Sequence, residues 1–226
     1  MRDFQNFTTQ YGVASLILHE IPYRKTAYIQ LLRILDDCLW EHLEECADFC
    51  RAAGAERVFV SDFPGLDGLT PHSEIYRMVG EAAPDYACAA SLFPVTQPTV
   101  SRWREIYNQR MNLVDHARTI ERRDDPQLIE SSGTYFVHRD GTLLGIGWLE
   151  DNTLLAVAAV LPGEGKTVMN TLMSLREGER LTLEVASTNA RAISLYEKLG
   201  FCKTEVVRKW YLMPEKSPIK NQQGVL

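Results

Sequence analysis

Tyr196 and Asn189 lie in a stretch whose residue types can support proton transfer. The stretch reads Leu-Thr-Leu-Glu-Val-Ala-Ser-Thr-Asn-Ala-Arg-Ala-Ile-Ser-Leu-Tyr-Glu-Lys-Leu-Gly-Phe from Leu181 to Phe201. A tyrosine hydroxyl has a pKa of about 10, so Tyr196 stays a proton donor at neutral pH. Packing with a hydrogen-bonded hydroxyl is the alternative role of this side chain. For Asn189, capping the following helix is compatible with binding a ligand.

A second feature with chemical meaning is the loop Gly163-Glu164-Gly165-Lys166-Thr167-Val168, which leads into a helix. The start of a helix offers unpaired main-chain N–H groups and a dipole that favours anions. The loop also resembles a P-loop for nucleoside triphosphates. That motif needs a glycine five residues before Gly165, where Val160 stands, so the P-loop interpretation fails.

Helices and strands that would position both features alternate from Thr99 onward. Apolar alternation predicts strands at residues 134–138, 143–149, 154–160, 181–185 and 202–213. Helical spacing predicts helices at residues 99–114, from the loop to 176, and 190–199. This order predicts an α/β (α+β) fold in which a mixed twisted sheet is flanked by helices.

The first half of the chain predicts a smaller α/β unit. Strands are expected at residues 12–18, 26–34, 57–60 and 87–93, and helices at residues 38–53 and 73–82. The order of predicted helices and strands begins again around Pro94 to Pro98. This predicts two domains, 1–95 and 96–226. The two halves have a similar order of elements but little residue identity, so an internal repeat stays open.

The segment Asn189-x-x-Ala192-x-x-Leu195-Tyr196-Glu197-Lys198-Leu199-Gly200-Phe201 resembles the C-terminal signature of the GNAT N-acetyltransferase superfamily. The order of elements from Thr99 to Met213 is also similar to that family. The resemblance covers about half of the chain, residues 96–213. The N-terminal half is interpreted as a degenerate copy of the same fold or as an unrelated α/β unit.

The resemblance implies that acetyl-CoA binds between two splayed parallel strands, 154–160 and 181–185. The exposed main chain of Ala158 and Val160, with Ala159 between them, would pair with the pantetheine arm like an added strand. The pyrophosphate would lie on the loop Gly163–Val168, and Asn189 and Ala192 would contact the cofactor arm. Tyr196 would protonate the leaving thiolate, and no metal is implied.

The loop departs from the family pattern. Glu164 stands near the usual Arg or Gln position, and Thr167 and Met169 replace two small residues. Two alternatives to an N-acetyltransferase therefore stay open. One is a catalytically inactive protein that keeps the fold for binding or scaffolding, and the other is an acyltransferase that uses a different acyl-CoA.

The strand 154–160 has no ionisable residue, so the base that deprotonates an amine must come from elsewhere. The candidates are Glu150, Asp151, Glu184 and His138. Trp148 and the pair Trp210-Tyr211 could line an acceptor pocket or pack in the core. Gly145 and Gly147 alternate in a predicted strand, which indicates a bulge or a close approach of another element.

Composition narrows the class of partner. Residues 1–95 hold 7 Lys and Arg against 14 Asp and Glu, and residues 96–226 hold 17 against 16. This balance disfavours nucleic acid and is compatible with a cationic acceptor. The family resemblance implies that the acceptor is an amine of a small molecule or peptide. The chain has no apolar run long enough for a membrane span and no signal-peptide pattern. A cytoplasmic protein is expected, and a homodimer stays open.

The five cysteines show no C-x-x-C pair and no zinc-finger spacing. Cys38, Cys46 and Cys50 fall on the apolar side of one predicted helix. Buried reduced thiols are therefore expected rather than a redox or metal site.

Overall fold

Helices and strands follow one another from Phe4 to Leu212, mostly in the order that the apolar periodicity predicts. The structure, a computed structural model, describes residues 4–35, 37–66, 69–88 and 90–214. It confirms the α+β class, with a mixed β-sheet flanked by helices. The chain divides into two compact units. The N-terminal unit is Met1–His72 with Trp210–Leu226, and the C-terminal unit is Ser73–Lys209.

The N-terminal unit is a sheet with one long helix against it. Its elements are β1 (Phe4–Thr8), β2 (Gly12–Ile17), α1 (Ile21–Arg24), β3 (Thr26–Ile34), α2 (Leu39–Ala52) and β4 (Arg57–Ser61). The strands β1, β2 and β3 pair antiparallel, and β3 pairs parallel with β4. Helix α2 connects the parallel pair and buries Leu43, Cys46, Ala47 and Cys50, which recur at helical spacing, in the core of this unit.

The C-terminal unit has a longer sheet between two helical layers. Its elements are β5 (Ser73–Glu81), β6 (Ser91–Pro94), α3 (Val100–Met111), α4 (Asp125–Glu130), β7 (Thr134–Arg139), β8 (Thr142–Glu150), β9 (Thr153–Ala159), α5 (Gly165–Met173), β10 (Arg180–Ala186), α6 (Ala190–Lys198) and β11 (Cys202–Leu212), whose end from Trp210 belongs to the N-terminal unit. The strand order β5-β10-β9-β8-β7-β6 is antiparallel except for the parallel pair β10 and β9. One core cluster contains α5 and α6 residues, and the other contains α3 and α4 residues.

The helix predicted over residues 73–82 is wrong, because this segment forms β5. All seven residues from Ile75 to Glu81 pair with β10, and Met78 and Gly80 are buried. Pairing with β10 decides the conformation of this segment, because its helical periodicity is weak. The strand predicted over 87–93 is also shorter and later, since Tyr86–Cys88 is a 3-10 turn and β6 covers Ser91–Pro94.

The two units do not divide where the sequence places the boundary, near residues 95 and 96. The reason is strand pairing, because β5 pairs with β10 and β6 pairs with β7 inside the C-terminal unit. An internal repeat of one fold stays a prediction.

A fragment of residues 96–226 is expected not to fold cooperatively. Without β5, the edge of β10 is unpaired and the core loses Met78 and Ala82. Urea unfolding followed by circular dichroism tests this, with the full chain as the reference. A single sharp transition in the fragment would show that residues 96–226 are an independent domain.

The cysteines divide into two groups. Cys46 and Cys50 are fully buried, and burial raises the pKa of each thiol to about 12. Cys38 is half-buried at the N-cap of α2 rather than inside the helix, and Cys202 is exposed. The side chain of Cys88 lies outside the described part of the chain. Buried thiols are thus confirmed for Cys46 and Cys50, and the expectation is wrong for Cys202.

His42 makes the stability of the fold depend on pH. Its ring is fully buried, with Nδ1 2.8 Å from Thr9 Oγ1 and Nε2 3.8 Å from Cys46 Sγ. Burial lowers the pKa of His42 from its ordinary value of 6.5, although Glu45 opposes the shift. At mildly acidic pH, His42 therefore binds a proton in the unfolded chain but not in the folded chain. The free energy of unfolding is expected to fall as the pH drops below about 6.5.

Urea unfolding of the protein and of His42→Gln between neutral and mildly acidic pH measures this dependence. The variant is expected to lose part of the slope of unfolding free energy against pH, whatever its absolute stability. An unchanged slope would assign the pH dependence to other groups.

Candidate active site

The parallel strands β9 and β10 part after two residue pairs. Thr153 pairs with Thr182 and Leu154 pairs with Leu183, and the described strands pair no further. Each strand stays paired on its other edge, β9 with β8 up to Ala159 and β10 with β5 up to Ala186. A gap therefore opens between two otherwise intact strands, as the splayed pair 154–160 and 181–185 predicts.

A β-bulge at Leu155 explains where the strands part. Trp148 is opposite Ala156 and Leu149 is opposite Leu154, so Leu155 has no partner on β8. A bulge bends its strand and increases the local twist. Because Leu155 directly follows the last residue paired with β10, the bend turns β9 away from β10. The Leu155 side chain is 47% exposed at this point.

The main chain of β9 faces the gap through a different set of residues from the predicted one. The Val160 N–H donates to Leu144 C=O at 2.7 Å, and Arg110 Nη2 donates to Val160 C=O at 2.6 Å. Main-chain groups alternate between the two edges of a strand, so Ala158 also points to β8 and Val157 and Ala159 face the gap. The expectation that Ala158 and Val160 offer free main chain is therefore wrong, whereas Ala159 does face the gap.

The loop after β9 leads into the N-terminus of α5, as predicted. Gly163 has φ +88°, a left-handed conformation that glycine adopts without strain. The first main-chain bond of the helix runs from Val168 N–H to Glu164 C=O at 2.9 Å. In the first turn of any α-helix, the main-chain N–H groups have no C=O acceptor in a preceding turn of the same helix. Met169 is fully buried in the core beside Leu172, so it does not crowd the helix start.

The charges of the loop are paired with neighbouring side chains. Glu164 forms an ion pair with Arg139 at 2.7 Å and a hydrogen bond with Thr167. The hydrogen bond from Thr167, followed by the charge of Arg139, lowers the pKa of Glu164 below its usual range. Lys166 Nζ lies 3.0 Å from Asp85 Oδ2. The negative charge of Glu164 next to the helix N-terminus is thus compensated by Arg139.

Helix α6 begins and ends as the sequence predicts. The Asn189 side chain accepts a hydrogen bond from Ala192 N–H at 3.2 Å, which confirms Asn189 as the N-cap. The helix stops before Gly200, which has φ +86°. Its apolar face packs on the cluster that includes Leu183 and Val185 of β10.

Tyr196 packs on the same side of the sheet as the residues at the gap. It contacts the core cluster beside which Val157 and Ala159 also pack, and its ring centroid lies 6.2 Å from that of Phe201. Burial raises the pKa of Tyr196 to about 12, so the hydroxyl stays protonated at neutral pH. Among the residues that the structure describes, none forms a hydrogen bond with this hydroxyl. Within that part of the chain, the phenol is a proton donor without an acceptor.

Of the four candidate bases, Glu184 borders the gap. It follows Leu183, the last residue of β10 that pairs with β9, and its side chain forms an ion pair with Arg77 at 3.0 Å. Glu150 accepts a hydrogen bond from Trp148 Nε1 at 3.0 Å, and Asp151 lies in the turn after β8. His138, on β7, packs against the rings of Phe93 and Phe136. Glu150 is opposite Thr153, where β9 and β10 are still paired, and His138 lies two strands from β9.

The remaining candidates take structural roles. Trp210 and Tyr211 are buried in the N-terminal unit, where Trp210 packs on Tyr28 with ring centroids 4.9 Å apart. Trp148 packs edge-on against Trp103 in the core of the C-terminal unit. A Cβ at Gly147 would lie 2.3 Å from a Leu172 methyl group of α5, which confirms the close approach predicted there.

The described residues contain neither a metal-binding cluster nor a membrane-spanning helix. Within residues 4–35, 37–66, 69–88 and 90–214, no three His, Cys, Asp or Glu side chains are grouped to hold a metal ion. Over the same ranges, no helix combines the length and apolar character needed to cross a bilayer.

Solved structures share this fold. The GCN5-related N-acetyltransferase of Sphaerobacter thermophilus is 12% identical, with a TM-score of 0.52, over 88% of this chain and 75% of its own. The enzyme of the same name from Kribbella flavida is 13% identical, with a TM-score of 0.54, over 93% of this chain and 55% of its own. A tandem GNAT protein from the clavulanic acid biosynthesis pathway is 14% identical, with a TM-score of 0.51, over 89% and 78%.

No protein-family model and no curated protein matches the sequence. At these identities the likeness to solved structures concerns the fold alone. The chain therefore has a GNAT fold.

Proposed function

We propose that the protein is an N-acetyltransferase that moves the acetyl group of acetyl-CoA to a primary amine of a small molecule or peptide. The observation that carries the proposal is the gap between β9 and β10, with the start of α5 after one strand and Tyr196 beside the other. The family resemblance implies the same arrangement of parted strands and helix start.

The residues around the gap fit acetyl-CoA. The free edge of β9 at Val157 and Ala159 would pair with the amides of the pantetheine arm. The N–H groups at the start of α5 would bind the pyrophosphate, with Gly163 and Lys166 beside it. The ion pair with Arg139 removes the repulsion that Glu164 would otherwise exert on phosphate. Asn189 and Ala192 would lie along the cofactor arm.

Transfer would proceed by direct attack of the amine. The amine nitrogen forms a bond to the thioester carbonyl carbon, and main-chain N–H groups of β9 polarise the carbonyl oxygen. Glu184 accepts the proton that the attacking nitrogen loses. The carbon–sulfur bond then breaks, and Tyr196 donates its proton to the leaving sulfur. Exchange with water restores Glu184 and Tyr196.

Release of free thiol from acetyl-CoA in the presence of a panel of amines tests the proposal. The panel includes diamines, amino acids and a short peptide with a free N-terminus. We expect amine-dependent thiol release and an N-acetylated product by mass spectrometry. Binding of acetyl-CoA with no product from any amine would favour the inactive scaffold.

A longer acyl group is the second candidate, and the exposure of Leu155 at the point where the strands part favours it. An apolar side chain there would contact the chain of an acyl group longer than acetyl. The same assay with propionyl-CoA and butyryl-CoA separates the two. A higher kcat/KM for acetyl-CoA would support acetyl transfer.

A further inference from the structure

Three charged side chains form a row across β10, β5 and β11. Glu184 and Arg77 are directly opposite each other in the antiparallel pairing of β10 with β5. Arg77 Nη2 lies 3.0 Å from Glu184 Oε1, and Arg77 Nη1 bonds to Glu205 Oε1. One guanidinium therefore bridges two carboxylates, through a different terminal nitrogen for each.

Stability alone does not account for this arrangement. The side chains of Arg77, Glu184 and Glu205 are 40%, 51% and 50% exposed. Ion pairs with this exposure contribute little to folding, because water screens them and ordering the side chains costs entropy. The geometry is nevertheless specific, since only the planar fork of arginine offers two terminal nitrogens at a fixed angle.

The position of the row links it to the gap. Glu184 is the first residue of β10 beyond the pairing with β9, and β9 itself has no ionisable side chain. Among the described residues, Arg77 is the one that holds a Glu184 oxygen, and it holds Oε1. A glutamate side chain that is half exposed samples several rotamers unless a partner selects one. The bond from Arg77 selects one and leaves Oε2 for a proton.

We propose that Arg77 is a positioning residue, which holds the Glu184 carboxylate at the parting of β9 and β10 in the orientation that accepts the proton of the attacking amine. Glu205 holds the second nitrogen of Arg77 and so fixes the direction of the fork. The proposal rests on the acetyl-transfer function proposed above. It makes the contribution of Arg77 to catalysis depend entirely on Glu184.

A double-mutant cycle tests this dependence. Arg77→Gln is compared with the parent protein, and Arg77→Gln with Glu184→Gln is compared with Glu184→Gln alone, by kcat and KM for amine acetylation. We expect Arg77→Gln to lower kcat about 10-fold in the parent and less than about 2-fold when Glu184 is already replaced. KM for acetyl-CoA is expected to stay unchanged in both.

Two further variants separate geometry from charge and from folding. Arg77→Lys keeps the charge but has one nitrogen, so we expect most of the loss in kcat to remain. Arg102→Gln removes another exposed arginine with a glutamate partner, and its kcat should match the parent. Full activity of Arg77→Lys would overturn the role of the fork.

The remaining outcomes are equally decisive. Equal losses of kcat from Arg77→Gln in both backgrounds would make Arg77 a structural residue and overturn the proposal. If the parent protein acetylates amines and Glu184→Gln has the same kcat, the proposal is also overturned. The acetyltransferase function then stays intact. Absence of amine-dependent thiol release in the parent protein would overturn both.

Discussion

Replacement of Tyr196 by phenylalanine is expected to lower kcat for amine acetylation about 100-fold, a typical contribution of a general acid. The phenol is the proton donor beside the gap, and burial raises its pKa to about 12, so it is protonated throughout the neutral range. Phenylalanine keeps the ring that packs near Phe201 and removes only the hydroxyl.

The dissociation constant of acetyl-CoA and the melting temperature are expected to stay near those of the parent. The hydroxyl has no hydrogen-bond partner among the residues described, so its loss leaves no buried group unsatisfied. Steady-state kinetics, calorimetric binding of acetyl-CoA and a thermal melt measure the three quantities. Equal kcat in Tyr196→Phe would remove this side chain from the mechanism, and a weaker Kd alone would make it a binding residue.

Replacement of Glu184 by glutamine is the second change with a large expected effect. Glutamine keeps the length of the side chain and an oxygen that can accept a hydrogen bond from Arg77, but it cannot take up a proton from an amine. We expect kcat to fall about 100-fold, within the range of general-base contributions. Because the side chain is half exposed, the melting temperature should change little.

Glu150→Gln is the matched control for this prediction. Glu150 is another glutamate of the same sheet and another candidate base from the sequence. Its side chain accepts a hydrogen bond from the Trp148 indole. Its kcat should stay within about 2-fold of the parent, since surface substitutions away from a site have small effects. A larger loss in Glu150→Gln than in Glu184→Gln would reverse the assignment of the base.

Apart from the short helix α4, the elements of residues 99–213 could be predicted because each carries its own periodic signal. The helix of Tyr196 has a capping asparagine, an apolar face and a terminal glycine, and all three act where the sequence places them. Strand β5 could not be predicted, for the opposite reason. Its pattern is ambiguous over Ser73–Glu81, and its pairing with β10, about a hundred residues away along the chain, decides its conformation.

The geometry of the gap could be predicted only in part. The apolar run from Leu154 to Val160 contains no glycine or proline to mark the bulge at Leu155, and the bulge decides which main-chain groups face the gap. The family resemblance therefore implies free main chain at Ala158 and Val160, whose main-chain groups face the other edge of β9. The partners of Glu164 and Glu184 could not be predicted either, because Arg139 and Arg77 meet them only through the sheet.

Binding of acetyl-CoA tests the central claim most directly, and a thermal melt with and without excess acetyl-CoA measures it, with ATP as the control. A ligand at about 100 times its Kd stabilises the folded state by about 2.7 kcal/mol, or roughly 5–10 °C for a chain of this size. We predict a rise of that order with acetyl-CoA and not with ATP. No rise at millimolar acetyl-CoA, or an equal rise with ATP, would contradict a cofactor site between β9 and β10.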